Sequence, residues 1–98
     1  MPDVDRILTL HPAGKQGVRI ARPLYDTMRA ALLAVIPDDP SGVAFRELPE
    51  RVEPHLDAEV FGSASRMWYV TAVKQDLEAR GLIEQVPGAR PQRLRRLS

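Results

Sequence analysis

A mixed α+β fold, three helices closed by a C-terminal β-hairpin, is predicted for this chain by three observations. Tyr25, Met28, Leu32, Val35 and Ile36 recur at i, i+3, i+7, i+10 and i+11, one face of an α-helix. Ser65 to Arg80 is again patterned as a helix and halts at Gly81, the residue that most cheaply adopts positive φ beyond a helix end. Leu82–Val86 and Gln92–Leu97 then read as two strands around the turn-forming Pro87, Gly88, Ala89, Arg90 and Pro91.

Taken in order, residues 1–21 read as an N-terminal arm and residues 22–98 as the domain proper. In the arm, Val4, Ile7 and Leu8 have the spacing of a brief helical turn. His11 to Gly17 is loop-like, because Pro12, Gly14 and Gly17 punctuate it, and Val18 to Ile20 suits a short extended piece. The arm's apolar residues need cover, from this domain or from a second copy. The first helix is expected over Arg22–Ile36, with Pro23 tolerated in its first turn and Pro37 ending it. Asp38 to Gly42 has the composition of a turn. Val43 to Phe45 suits a small strand between helices 1 and 2. The second helix is expected over Arg46–Leu56 with Leu48, Val52 and Leu56 inward, and Pro54 is expected to kink or shorten it. Asp57 to Gly62 reads as a connection with Val60 and Phe61 inward. In the third helix Ser63 or Ser65 is the N-cap, and Tyr69, Val70, Val73 and Leu77 share the inner face. Trp68, Thr71, Gln75 and Glu78 fall on the opposite face, flanked by Met67 and Lys74. In the hairpin, Ile83, Val86, Leu94 and Leu97 are the expected inward residues.

With 98 residues, the chain has room for one domain of limited core. It has no cysteine, which excludes disulfides and thiolate metal sites. No apolar run approaches a membrane span, and Met1 to Arg6 places acids ahead of a very short apolar patch, unlike a signal peptide. A soluble cytoplasmic protein is the expectation. Net charge is only +1, but its distribution is uneven. Residues 37–59 sum to −5, residues 60–98 to +4 and residues 1–36 to +2. The basic end coincides with the expected third helix and hairpin.

Helix, short strand, helix, helix, hairpin is the order of a winged helix-turn-helix domain, with the hairpin as its wing. The stretch from Trp68 to Gly88, followed by Pro91 to Leu94, resembles a small group of uncharacterised bacterial winged-helix proteins. His11-Pro12, Gly14-Lys15, Ile20 and Tyr25-Asp26 fit that group as well, so the resemblance spans residues 11–97. In outline the chain is also similar to the winged-helix segment ahead of some restriction-type nucleases, where a phrase like Asp76 to Ile83 recurs. The resemblance implies the fold and brings no activity with it. The chain departs from the usual pattern at Pro49 and Pro54, and at Ala21, where a capping Ser, Thr, Asp or Asn is normal.

A winged helix of this kind is expected to bind double-stranded DNA, as a regulator-like protein would. The third helix would enter the major groove with Arg66, Trp68, Thr71, Lys74 and Gln75 outermost. Gln pairs with adenine, Lys with guanine, and a Thr methyl meets thymine. Arg90, Arg93, Arg95 and Arg96 on the wing would neutralise phosphates. Against this, Glu47, Glu50 and Glu53 sit on the second helix, which often crosses the phosphate backbone. The alternative is a protein-interaction or homodimerisation module that binds no DNA, built through the arm, helix 1 or the Trp68 face. An exposed tryptophan commonly marks an interface, and the acidic stretch could meet the basic end of another copy.

No enzymatic site is expected, and no cofactor. His11 and His55 are far apart, and Pro54 breaks the regular spacing that a metal site of His55 with Glu53, Asp57 and Glu59 would need. Gly14 to Gly17 lacks the earlier glycine and the Ser or Thr after Lys15 of a phosphate loop. Helix capping accounts for Ser63 and Ser65.

Overall fold

The computed structural model describes residues 5–97. Two short strands, β1 (Arg6–Leu8) and β2 (Arg19–Ala21), form an antiparallel hairpin that leads into α1 (Arg22–Val35). β3 (Val43–Ala44) and α2 (Leu48–Val52) follow, then α3 (Ala58–Phe61) and α4 (Arg66–Ala79). β4 (Ile83–Gln85) and β5 (Arg93–Arg96) form the last hairpin. β5 is the middle strand of a three-stranded antiparallel sheet, with Val43 opposite Leu94 on one side and Ile83 opposite Arg96 on the other. The chain is thus an α+β domain with two small antiparallel sheets and, among the described residues, four α-helices.

α1 forms where its periodicity places it, with Tyr25, Met28, Leu32 and Ile36 all buried. Full burial of side chains of this size contributes roughly 1.5–3 kcal/mol each. Ala21 offers no capping side chain. The backbone carbonyl of Asp5 serves instead, accepting the Arg22 amide at 2.7 Å, while the Asp5 carboxylate pairs with the Arg22 guanidinium at 2.7 Å. α1 therefore starts correctly because the preceding hairpin brings Asp5 to it.

The structure corrects the sequence expectations at several points. The helical turn expected at Ile7 and Leu8 is strand β1, whose ladder to β2 lies many residues downstream and leaves no local signal; Val4 lies outside the described residues. The second helix is not continuous over Arg46–Leu56. It is one α-turn between two 3₁₀ turns, Phe45–Glu47 and Glu53–His55. Pro49 sits harmlessly in the first turn, and Pro54, without an N–H, cannot extend the i→i−4 ladder. The connection after it contains a helical turn, α3, so the described residues hold four α-helices, not three. The Asp57 carboxylate caps α3 by accepting the Glu59 amide at 2.9 Å. On α4, Lys74 and Asp76 are buried and the Glu78 side chain is nearly so, although the apolar pattern puts none of them inward. The reason is that α4 is covered on more than one side. α1 packs on it, the first hairpin reaches Asp76, and the last hairpin reaches Lys74 and Glu78.

The end of α4 meets its expectation. Gly81 has φ +76°, its amide donates to the Glu78 carbonyl at 3.1 Å, and the Leu82 amide donates to the Leu77 carbonyl at 3.0 Å. This pair of bonds satisfies the last carbonyls and turns the chain directly into β4.

Candidate interaction surface

The loop between β1 and β2 stands beside the first half of α4, and a groove of about 450 Å³ runs between them. One wall comes from Thr9, Leu10, His11, Gln16 and Val18, the other from Met67, Trp68, Thr71 and Gln75. The loop wall is held in shape locally. Thr9 and Val18 are doubly bonded, the Thr9 amide to the Val18 carbonyl at 2.9 Å and the Val18 amide to Thr9 Oγ1 at 3.0 Å. His11 Nδ1 accepts the Ala13 amide at 3.0 Å, which orders the tip. The helix wall begins at Ser65, whose hydroxyl caps α4 by accepting the Trp68 amide at 3.3 Å.

The loop is tied to the domain interior by a buried carboxylate. Asp76, with no exposed surface, accepts the Leu10 amide on Oδ1 at 2.8 Å. Its Oδ2 accepts the Tyr25 hydroxyl and the Arg80 guanidinium, the latter at 2.8 Å. Burial raises the Tyr25 phenol above its ordinary 10.0, and the hydrogen bond to Asp76 raises it further. The bond to Asp76 likewise holds the Arg80 guanidinium above its ordinary value. Three segments distant in sequence meet at one carboxyl group, so the position of the groove's loop wall follows from the core.

Exposed apolar surface concentrates here. Met67 and Trp68 are 48% and 47% exposed, Leu10 44% and Val18 38%, with Leu8 on the adjoining strand at 46%. Trp68 is braced edge-to-face on Tyr69 with ring centroids 4.8 Å apart, and Tyr69 on Phe61 at 5.2 Å. The indole is thus held outward by its neighbours, not loosely draped.

The residues expected to contact DNA fall into two groups. Trp68, Thr71 and Gln75 come together along the groove. The basic residues are mostly engaged within the chain. Lys74 is buried, pairing with Glu78 at 2.7 Å, donating to Gln92 at 3.1 Å and lying 5.1 Å from the centre of the Phe45 ring. Its placement on the outer flank of the helix is therefore corrected. Arg66 pairs at the surface with Glu53 at 2.7 Å. Arg93 donates to the carbonyls of Ser41 and Gly42 at 2.7 and 3.0 Å. Arg95 pairs with Glu84 at 2.6 Å and donates to the Pro40 carbonyl, and Arg96 donates to the Ile36 carbonyl at 2.7 Å. These three arginines stitch β5 to the segment that leaves α1; of their carbonyl partners only Ile36, bonded by Arg96, is at the helix end, where unpaired carbonyls carry partial negative charge. Arg90 is exposed at the tip of the last hairpin.

Sequence reasoning missed the loop residues of the groove and the whole Asp76 cluster. The one available signal was the surplus of apolar residues in the arm, Leu8, Leu10 and Val18, with nothing local to cover them. Among the described residues no group of three or more His, Asp or Glu side chains is placed to hold a metal ion, and His55 is exposed. Among the described residues no helix is long and apolar enough to cross a membrane.

Neither a curated protein nor a solved structure matches the chain. A family of unknown function, DUF6958, matches residues 6–94, from the first strand into the last, and the chain belongs to that family.

Proposed function

We propose that this protein is a non-catalytic interaction module of winged-helix type, whose contact surface is the apolar groove between the first hairpin and α4. The observation that carries this reading is the half-exposed Trp68, set with Met67, Leu10 and Val18 around a concave surface. Contiguous apolar patches on a small domain commonly mark where another molecule binds. The winged-helix assignment is supported by the order of α1, β3, α2, α4 and the β4–β5 hairpin, with the short α3 inserted. The hairpin would then be the wing, and its arginines, on this reading, act mainly inside the domain.

The chain's single tryptophan makes a direct test available. Titration with an environment-sensitive apolar dye is expected to blue-shift Trp68 emission and to saturate at one site. Leu10→Ser, on the opposite wall, is expected to weaken dye binding without unfolding the domain. Dye binding that ignores both Leu10→Ser and Trp68→Ser removes the groove from consideration.

Duplex DNA binding is a second reading with its own support. Arg93 and Arg96 bond to neutral carbonyls, which leaves their charge uncancelled, and Arg90 projects at the hairpin tip. The segment they grip, however, carries Asp38 and Asp39, and Arg95 is paired with Glu84. Phosphate binding on that face would therefore be weak. A low-salt titration with random duplex checks it: DNA binding through the wing must fall with Arg90→Ala and decline steeply with added salt.

A further inference from the structure

We propose that the occupant of this groove is the same groove of a second copy of the chain, so that the protein is a two-fold homodimer with Trp68 near its axis. The inference rests on the interaction-module reading and names the partner. Two observations carry it.

The first is the chemistry of the lining. Thr9, His11, Gln16, Ser65, Thr71 and Gln75 supply all of its polar side chains, and no carboxylate, ammonium or guanidinium lies among the lining residues. Across a two-fold axis each residue near the centre meets its own copy or close neighbours, so any charged group there would face its like. Hydroxyl and carboxamide groups both donate and accept, and can therefore pair with themselves. A site for a charged peptide or for phosphate would instead carry the opposite charge. This surface is lined by no Asp, Glu, Lys or Arg in a chain where those residues make up 28%.

The second is area. Leu8, Leu10, Val18, Met67 and Trp68 each keep between 38% and 48% of their surface exposed. Together they leave roughly 400 Å² of apolar surface, taking about 150–250 Å² for a large side chain. A stable interface covers about 800 Å² per partner, a little over half of it apolar. The patch therefore matches the apolar share of one side of a dimer of ordinary size. The Asp76 bond to Leu10 adds preorganisation, since the loop wall is already fixed before a second copy arrives.

The test is mass in solution by sedimentation, with Trp68 emission followed in parallel from roughly 1 μM to 1 mM. The expected result is a monomer–dimer equilibrium in which emission shifts to the blue as dimer forms. Trp68→Ser is expected to weaken association at least about thirtyfold, as truncating a central aromatic does. Thr71→Lys, which retains the tryptophan, is expected to give monomer by setting two ammonium groups against each other. Circular dichroism melts of both variants establish that they are folded, and a variant that is not is replaced by Met67→Ser. A chain that stays monomeric throughout overturns the dimer. If it nonetheless binds the apolar dye in a Trp68-dependent way, the groove reading survives and only the second copy is wrong. If it binds neither, both fall. Dimers that persist in Trp68→Ser and in Thr71→Lys overturn this interface, and so does duplex DNA that shifts Trp68 emission of a monomer.

Discussion

Tyr25 of α1 donates its hydroxyl proton to Asp76 of α4, and both side chains lie inside the domain, 51 positions apart in sequence. The same carboxylate holds the Leu10 amide and the Arg80 guanidinium, so one side chain coordinates two helices and the loop of the first hairpin. Asp76→Ala is expected to cost about 3 kcal/mol, because three donors lose their acceptor in a poorly hydrated site. Tyr25→Phe removes one donor and leaves the others, for a loss of about 1 kcal/mol. Urea unfolding followed by circular dichroism measures both. Equal midpoints for Asp76→Ala and the parent would show that the cluster contributes nothing.

Alkaline pH should act through the same bond. The folded state holds the Tyr25 phenol above its ordinary value of 10.0, chiefly through burial. In the window above that value the folded chain keeps a proton that the unfolded chain releases. Stability is then fully present below about pH 10 and declines as pH rises toward the folded value. Thermal melts between about pH 8 and 11 are expected to show this decline, and Tyr25→Phe to flatten it. A parallel decline in both proteins would assign it to other groups.

Gly42 approaches the backbone of the three-stranded sheet closely. It has φ +65°, and a Cβ there would lie 2.3 Å from the Leu94 carbonyl oxygen, a backbone atom that β5 cannot move cheaply. Gly42→Ala is expected to destabilise by about 2–4 kcal/mol, combining backbone strain with the clash. Gly81→Ala has open space around the added carbon and should cost only about 1 kcal/mol, from its positive φ alone. Chemical denaturation of the pair separates the two effects.

The hairpin arginines should behave as structural residues. Arg93→Ala and Arg96→Ala are each expected to lose about 1 kcal/mol of stability, reduced from the value for a fully buried charged bond by partial exposure. Arg90→Ala, at the tip, is expected to leave the melting temperature unchanged. Differential scanning calorimetry of the three variants decides the point, since a phosphate-binding role alone would leave all three melting alike.

What could be read from the sequence follows the range of the interactions. α1 was legible because Tyr25, Met28, Leu32 and Ile36 record a single buried face. The end of α4 was legible because Gly81 is a local requirement, and the last hairpin because Pro87 and Gly88 break the chain between two short extended runs, although Leu97, expected inward, is exposed. The first hairpin was not, since β1 pairs with residues beyond a loop and three residues carry too little alternation to distinguish strand from helix. On α4 the pattern failed where ionic groups are buried: Lys74 pairs with Glu78 one turn on, and Gln92, Tyr25 and the Leu10 amide come to Lys74 and Asp76 from elsewhere in the chain. At the site, Trp68, Thr71 and Gln75 of the face read as outward line the groove while Glu78 of the same face turns in to Lys74, and sequence could not show that the loop carrying Leu10 and Val18 stands opposite. Arg93 and Arg96 could be counted but not assigned, because their partners are backbone carbonyls, which have no letter in the sequence.

The middle place of β5 in its sheet sets an order of events for the nascent polypeptide. Val43 and Ala44 emerge from the ribosome half a chain length before Leu94 and Arg93, their ladder partners. Until those residues clear the exit tunnel, β3 and β4 have no strand between them and the carbonyls beyond α1 lack their guanidinium clamps. Completion of the tertiary structure is thus held back until translation of this region is nearly finished, and premature stop codons ahead of Arg93 should yield fragments prone to degradation.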